Sequence, residues 1–296
     1  MQELFEVLSF YKFIPIDAAH LGEVEASLEN LATELDLCGL VILAAEGVNA
    51  TVAGMPPAIS RFENFLDQPF GVQQWHFKRS ISKGRPFRRF RVRIRDEIVT
   101  SEFKELEVSD RSGHLSPEEW QAVLDSDEEI TLLDMRNTYE TEVGMFKGAV
   151  DPRLANFQQF PEYVENSNLS KDKKVLMYCT GGIRCEKAAL EMRRQGYEKV
   201  FQLSGGILEY LKTFPEGSFK GECFVFDHRV ALDKHLRPSE SYTLCPHCGD
   251  PGKEKIECLR CERPARICHR CLDRESARNS CSKDCAYHLR VGTRRT

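Results

Sequence analysis

This chain has no apolar stretch long enough to cross a membrane. Its longest run, Leu37–Ala45, ends after nine residues at Glu46, against the roughly twenty that a spanning helix needs. The opening Met1-Gln2-Glu3-Leu4-Phe5-Glu6-Val7 lacks a basic segment followed by an apolar one, so a secretory signal is not expected. Nor is there a general excess of positive charge: 41 basic side chains face 46 acidic ones, for a net charge of −5. Bulk charge therefore does not advertise a polyanion partner. No repeat is longer than a pair of cysteines.

Cysteine is abundant, at twelve residues. Without an export signal, that number points to thiols in a reducing compartment, used for metal or catalysis rather than disulfides. The cytoplasm is the expected location. A length of 296 residues leaves room for two or three domains.

Residues 1–98 alternate strand and helix signals. Phe10–Ile16 is strand-like, and Glu23–Leu37 sets Val24, Leu28, Leu31 and Leu35 at helical spacing. Leu40–Ala44 and Val48–Val52 flank Glu46-Gly47 as a hairpin, and Pro57–Leu66 reads as a second helix carrying Ile59, Phe62 and Phe65 on one face. A last strand, Phe90–Arg95, completes the order βαββαβ of a ferredoxin-like (acylphosphatase-like) domain. Residues 99–114 read as an acidic linker. Residues 115–214 then open on Ser116-Pro117-Glu118-Glu119, an N-cap with a capping box. Strands at 130–134, 174–178 and 200–203 alternate with helical stretches at 157–164 and 184–195, as in a parallel sheet covered by helices. Residues 215–296 are poor in apolar side chains and rich in cysteine, with a short strand expected at Cys223–Asp227. The fold class is thus α/β with α+β, in several domains.

The strand at 174–178 runs straight into Cys179-Thr180-Gly181-Gly182-Ile183-Arg184-Cys185. A cysteine between a strand end and a helix start meets free backbone N–H groups and the positive end of the helix dipole. Both favour a thiolate or a persulfide anion. Gly181 and Gly182 let the backbone wrap the sulfur, and Arg184 adds positive charge at the rim. Cys185 has two readings at this stage: a thiol that exchanges with Cys179, or a small side chain packed under the helix.

Cys-x-x-Gly-x-Arg after an aliphatic strand resembles the active loop of the rhodanese sulfurtransferases, which places the reactive sulfur on Cys179. Leu132–Arg136, Tyr139-Glu140 and Lys147–Ala149 resemble that domain's other signature blocks, with Asp134 and Arg136 read as a structural ion pair. The whole chain is similar to a narrower family, the bacterial tRNA uridine hydroxylases. The similarity rests on Glu46-Gly47-Val48-Asn49-Ala50-Thr51, on the loop Cys179–Lys187 and on the cysteine-rich tail. Ala50 stands where that family often has glycine. The resemblance implies oxygen-dependent 5-hydroxylation of the wobble uridine, U34, with molecular oxygen as co-substrate and the tRNA anticodon region as partner. The competing reading is a sulfurtransferase passing sulfane sulfur through a Cys179 persulfide without RNA. A third is a non-catalytic RNA-binding or zinc scaffold with a vestigial loop.

Charge is segregated within the N-terminal part. Lys78, Arg79, Lys83, Arg85, Arg88, Arg89, Arg91, Arg93 and Arg95 occupy one window with no acid among them. On a strand, Arg89, Arg91, Arg93 and Arg95 project from one face and Phe90, Val92 and Ile94 from the other. RNA phosphates would neutralise such a ladder, and Trp75, Phe77 and Phe87 could stack on unpaired bases. The alternative is a solvated face paired with the acidic linker residues Glu102, Glu105, Glu107 and Asp110. Arg290, Arg294 and Arg295 are further candidates for phosphate contact.

In the tail, Cys245/Cys248, Cys258/Cys261, Cys268/Cys271 and Cys281/Cys285 form four close pairs, enough for two tetrahedral zinc sites of structural type. Nineteen residues separate the first pair from the third and the second from the fourth; nine separate the first from the second and the third from the fourth. Sequential and crossed pairing are both compatible with these spacings. His247, His269 and His288 lie close enough in sequence to substitute as ligands.

Overall fold

The computed structural model describes residues 4–103 and 113–292. Glu105, Glu107 and Asp110 of the linker, and the terminal Arg294 and Arg295, lie outside the described residues.

The N-terminal unit consists of β1 Phe5–Phe13, α1 Leu21–Glu34, β2 Cys38–Ala44, β3 Gly47–Gly54, α2 Pro56–Phe65, α3 Asp67–Phe70, β4 Lys78–Ser82 and β5 Phe90–Ile94. Its strands lie in the order β4-β1-β3-β2-β5. β4 is the last strand of the ferredoxin-like βαββαβ, antiparallel to β1, whereas β5 is an added fifth strand parallel to β2 at the opposite edge. The sequence reading had given the last place to Phe90–Arg95 and left 78–82 without a strand. Lys78-Arg79-Ser80-Ile81-Ser82 shows no apolar alternation, because it is an edge strand with a polar contact on its inner side. The β2–β3 turn requires glycine: a Cβ on Gly47, at φ +146°, would lie 2.1 Å from the Lys12 carbonyl oxygen.

Alternation divides this sheet into two faces. Leu8, Phe10, Val41, Leu43, Val48, Ala50 and Val52 bury against Val24, Leu28, Ile59 and Phe62 of the helices. Ser9, Tyr11 and Phe13 point the other way. Register puts Lys78 beside Ser9, so it shares that second face. Arg91 and Arg93, paired with Leu40 and Ile42, lie at its far edge.

The second unit runs β6 His114–Leu115, α4 Pro117–Leu124, β7 Ile130–Asp134, α5 Thr138–Thr141, β8 Gly144–Phe146, α6 Phe160–Asn166, β9 Lys174–Tyr178, α7 Ile183–Arg194, β10 Val200–Leu203 and α8 Gly206–Thr213. Strands β6-β10-β9-β7 form a parallel sheet. Ser116 caps α4, accepting from Glu119 N at 3.2 Å while Glu119 Oε2 accepts from Ser116 N at 2.8 Å. Val175 and Met177 pack toward α7, and Leu176 and Tyr178 toward Trp120 and Ile207 on the other face. The chain continues through β11 Phe219–Gly221, antiparallel to β8, and a hairpin of β12 Cys223–Phe224 with β13 Ala231–Leu232. The tail holds the pairs β14 Thr243–Leu244 with β15 Pro251–Gly252 and β16 Glu254–Glu257 with β17 Pro264–Ile267. It ends in α9 His269–Leu272, α10 Glu275–Arg278 and α11 Lys283–Arg290. Among the described residues, no helix is long and apolar enough to cross a membrane.

Candidate active site

Cys179 ends the central strand β9 and faces the start of α7, with its residue fully buried. Gly182, at φ +101°, turns the loop so that its N–H donates to the Cys179 sulfur at 3.1 Å. Burial alone disfavours a thiolate here. It is overcome by the Cys185 thiol, which donates to the sulfur, by the nearby Arg184 guanidinium, and by the N–H groups of Arg184 and Gly182; the Cys179 thiol falls to about 5. Cys185 is itself buried, and burial together with its bond to Cys179 pushes its thiol well above the ordinary value. The two thiols are thus driven apart, Cys179 toward its charged form and Cys185 toward its neutral, donating form.

Arg184 does not stand free at the rim. Its guanidinium makes a two-pronged bond to Glu140, Nη1 to Oε2 at 2.6 Å and Nη2 to Oε1 at 2.9 Å. Glu140 is fully buried and also accepts from Asn137 N at 3.1 Å and from the Thr180 hydroxyl at 3.3 Å. Burial opposes its charge, but Arg184 and Arg136 hold its carboxyl below the usual range. Asp134 and Arg136 form the expected structural pair, with Nε and Nη2 donating at 2.8 and 2.6 Å. Behind the loop, α8 begins against it: a Cβ on Gly206 would lie 2.5 Å from the Cys179 carbonyl oxygen, so Gly205-Gly206 does more than end a strand.

The second face of the N-terminal sheet covers this loop. Tyr11 donates to Glu186 Oε1 at 2.7 Å, and a Cβ on Gly182 would meet the Tyr11 hydroxyl at 2.9 Å. Glu186 is held from the other side by His114 Nε2 at 3.2 Å and Gln202 Nε2 at 3.1 Å. The Lys187 ammonium reaches Glu46 at 2.9 Å and Glu97 at 2.5 Å. Glu46 and Lys187 belong to the two sequence blocks that carried the family resemblance, and they meet across this joint.

Residues 5–98 match the family profile described as "UPF0176 acylphosphatase like domain", residues 116–213 that of "Rhodanese-like domain", and residues 220–286 that of "Rhodanase C-terminal". A protein of Bdellovibrio bacteriovorus named tRNA uridine(34) hydroxylase is 46% identical over 289 residues, covering 96% of this chain and 81% of that one. The chain belongs to the tRNA uridine(34) hydroxylase family. Proteins of the same name from a Picosynechococcus species and from Legionella pneumophila are 41% and 43% identical, covering 83% and 78% of this chain and 83% and 91% of their own lengths.

In this member of the tRNA uridine(34) hydroxylase family the basic window does not form one surface. Lys78 is buried, its ammonium 4.5 Å from the centre of the Tyr11 ring. Burial lowers it to about 8, against the opposing pull of Cys179, Glu209 and Glu186. Arg79 pairs with Glu6 and with Glu63 at 2.5 Å, Arg85 with Asp36, and Lys83 lies 3.7 Å from Glu240. Arg88, Arg89, Arg93 and Arg95 are exposed, and Arg91 is half-buried. Among the described residues these acid partners lie outside the linker, and Glu102 bonds Gln158. Phe77 and Trp75 are half-buried and pack edge-on against Phe10 at the margin of the sheet core.

The tail cysteines gather in the crossed arrangement. Cys245, Cys248, Cys268 and Cys271 form one quartet and Cys258, Cys261, Cys281 and Cys285 another, with sulfurs within 4.8 Å of one another in each. Separations of 3.4 and 3.6 Å in the first, and of 3.5 to 3.8 Å in the second, approach the edge of about 3.8 Å expected around a tetrahedral ion with 2.3 Å bonds. Each quartet can hold a metal. The histidines turn elsewhere: His247 bonds the Ser280 carbonyl at 2.8 Å, His269 lies 3.7 Å from Glu142 and His288 3.5 Å from Asp284.

Proposed function

We propose that this chain is a tRNA-modifying enzyme of the cytoplasm that 5-hydroxylates U34, gripping the anticodon region and using Cys179 as its nucleophile. The observation that carries the reading is Cys179 itself: a thiolate held by Cys185, Gly182 and Arg184, in a chain alike over 96% of its length to a tRNA uridine(34) hydroxylase. The division into units 1–98, 115–214 and 215–296 belongs to the same proposal.

A thiolate adding to C6 of uracil drives electrons onto O4, and the resulting enolate makes C5 nucleophilic. Dioxygen then supplies the oxygen atom at C5, with a two-electron donor reducing the second oxygen atom to water. Loss of the C5 proton and of the thiolate from C6 restores the ring. Cys179 is fully buried beneath Tyr11 and Gly182, so a uracil reaches it only when that cover moves.

The test is nucleoside mass spectrometry of tRNA incubated with the purified chain and an added dithiol as two-electron donor, under air and under argon. Appearance of 5-hydroxyuridine in air alone is expected. Brisk thiosulfate-to-cyanide transfer without tRNA modification would instead select the sulfurtransferase reading.

The tail is proposed to bind two zinc ions, both structural, since closed all-cysteine sites leave no open position. Its core is little more than Ile267, Ala277 and three cysteines, too small to hold the fold by apolar burial. Metal analysis is expected to find two zinc ions per chain, and Cys248→Ser to retain one. A metal-free protein with an intact, protease-resistant tail would end this assignment.

A further inference from the structure

Eighteen phenylalanines occur in the chain, and Phe226 alone among them is exposed, at 60%. It tips the hairpin formed by β12 and β13, and that hairpin is tightly held. Val225 N donates to the Val230 carbonyl at 2.9 Å, and Val230 N to the Asp227 carbonyl at 3.0 Å. Asp227 and Arg229 are buried and paired at 2.8 and 2.6 Å. Arg229 Nη1 reaches across to Ser80 Oγ at 2.7 Å and the Ile81 carbonyl at 3.2 Å on β4, while His228 N donates to the Pro86 carbonyl at 2.9 Å.

The tip is therefore clamped between the reactive loop and the basic window. The Phe226 ring packs edge-on against Phe224, with centroids 5.0 Å apart, and lies 5.9 Å from the Arg184 guanidinium carbon. Pro86, to which the tip is tied, sits in the segment bearing Lys83, Arg85, Arg88 and Arg89. Beyond these contacts, more than half of the ring is held open to water, where it adds little to folding. Its hairpin is tied through Pro86 to the segment that carries the exposed Arg88 and Arg89, so the surface has the composition of a site for unpaired RNA bases: cations for phosphate and an aromatic plane for stacking.

We propose that Phe226 is a base-stacking residue at the mouth of the Cys179 site, taking a nucleobase of the anticodon loop on its exposed face. This deepens, and rests on, the reading of tRNA as substrate. Arg88 and Arg89 contribute phosphate attraction to the same grip, whereas Phe226 contributes a contact without charge.

The test measures binding of a fluorescently labelled anticodon stem–loop to the full, metal-loaded chain across a salt series. Phe226→Ala is expected to weaken binding about tenfold at every salt concentration. The slope of log affinity against log salt is expected to stay unchanged, while Arg88→Ala lowers that slope by about one. Phe226→Trp is expected to restore binding, and its added fluorescence to be quenched by the stem–loop beyond any change in the parent protein. Wild-type binding with an unaffected Phe226→Ala variant, a changed slope in that variant, or an unquenched Phe226→Trp each overturns stacking and leaves the tRNA reading standing. If the parent chain neither binds the stem–loop nor modifies tRNA, the substrate reading falls and the stacking role with it.

Discussion

Replacing Cys179 by serine is expected to reduce 5-hydroxyuridine formation by at least about a thousandfold, to the background of the assay. A serine hydroxyl in the same place stays protonated, because the donors that lower the thiol to about 5 cannot bring an alcohol into that range. Wild-type activity is expected to fall as pH drops through about 5, where the thiolate takes up its proton. The sign follows from an acid whose charged form is the active one. Cys185→Ala removes the thiol that donates to Cys179, so its acidic limb is expected to move to higher pH, and Cys185→Ser to move it less. Product formation above one tenth of wild type in Cys179→Ser would remove the thiolate from the mechanism. An identical loss in both Cys185 variants, with no shift of the acidic limb, would mean that Cys185 acts otherwise than as a donor.

Glu140→Ala is expected to be among the most destabilising single changes in the chain, at about 3–5 kcal/mol. It removes the two-pronged carboxylate partner of the Arg184 guanidinium, which is 7% exposed, and leaves it the Thr180 hydroxyl at 3.5 Å and the nearby Cys179 sulfur. The cost is that of an uncompensated buried charge rather than the net worth of the pair. Urea denaturation followed by Trp120 fluorescence near β9 reads it directly. The double variant Glu140→Ala with Arg184→Met is expected to recover much of the loss, since the guanidinium that Glu140 compensated is then gone as well. A stability within about 0.5 kcal/mol of wild type for Glu140→Ala would refute this account.

Local patterns settled a large part of this molecule. The spacing of Val24 and Leu28, the hairpin signal at Glu46-Gly47 and the capping box at Ser116 each rest on interactions within a few residues, and each appears where it was read. Cys179 was legible for the same reason, since strand, glycines and helix start are consecutive. The cysteine pairs were legible as pairs; nineteen- and nine-residue spacings do not rank crossed above sequential closure, and only the folded tail chose.

What remained was decided by contacts distant in sequence. Lys78 is 101 positions before Cys179, yet the register of β4 with β1 turns it inward toward the loop instead of toward solvent. A charge-rich window cannot reveal which of its members fold inward, because that depends on the partner surface rather than on local alternation. Glu140 was visible within a family block, but its role depends on Arg184, 44 residues away. Phe226 gave no signal at all, since one phenylalanine in a short strand reads as core. By itself the sequence determined the family and the domain types and singled out Cys179 as the candidate reactive sulfur, all written in contiguous motifs. The tertiary structure alone decided that the N-terminal sheet closes over that sulfur, because the bonds from Tyr11 to Glu186 and from Lys187 to Glu46 join segments that only folding brings together.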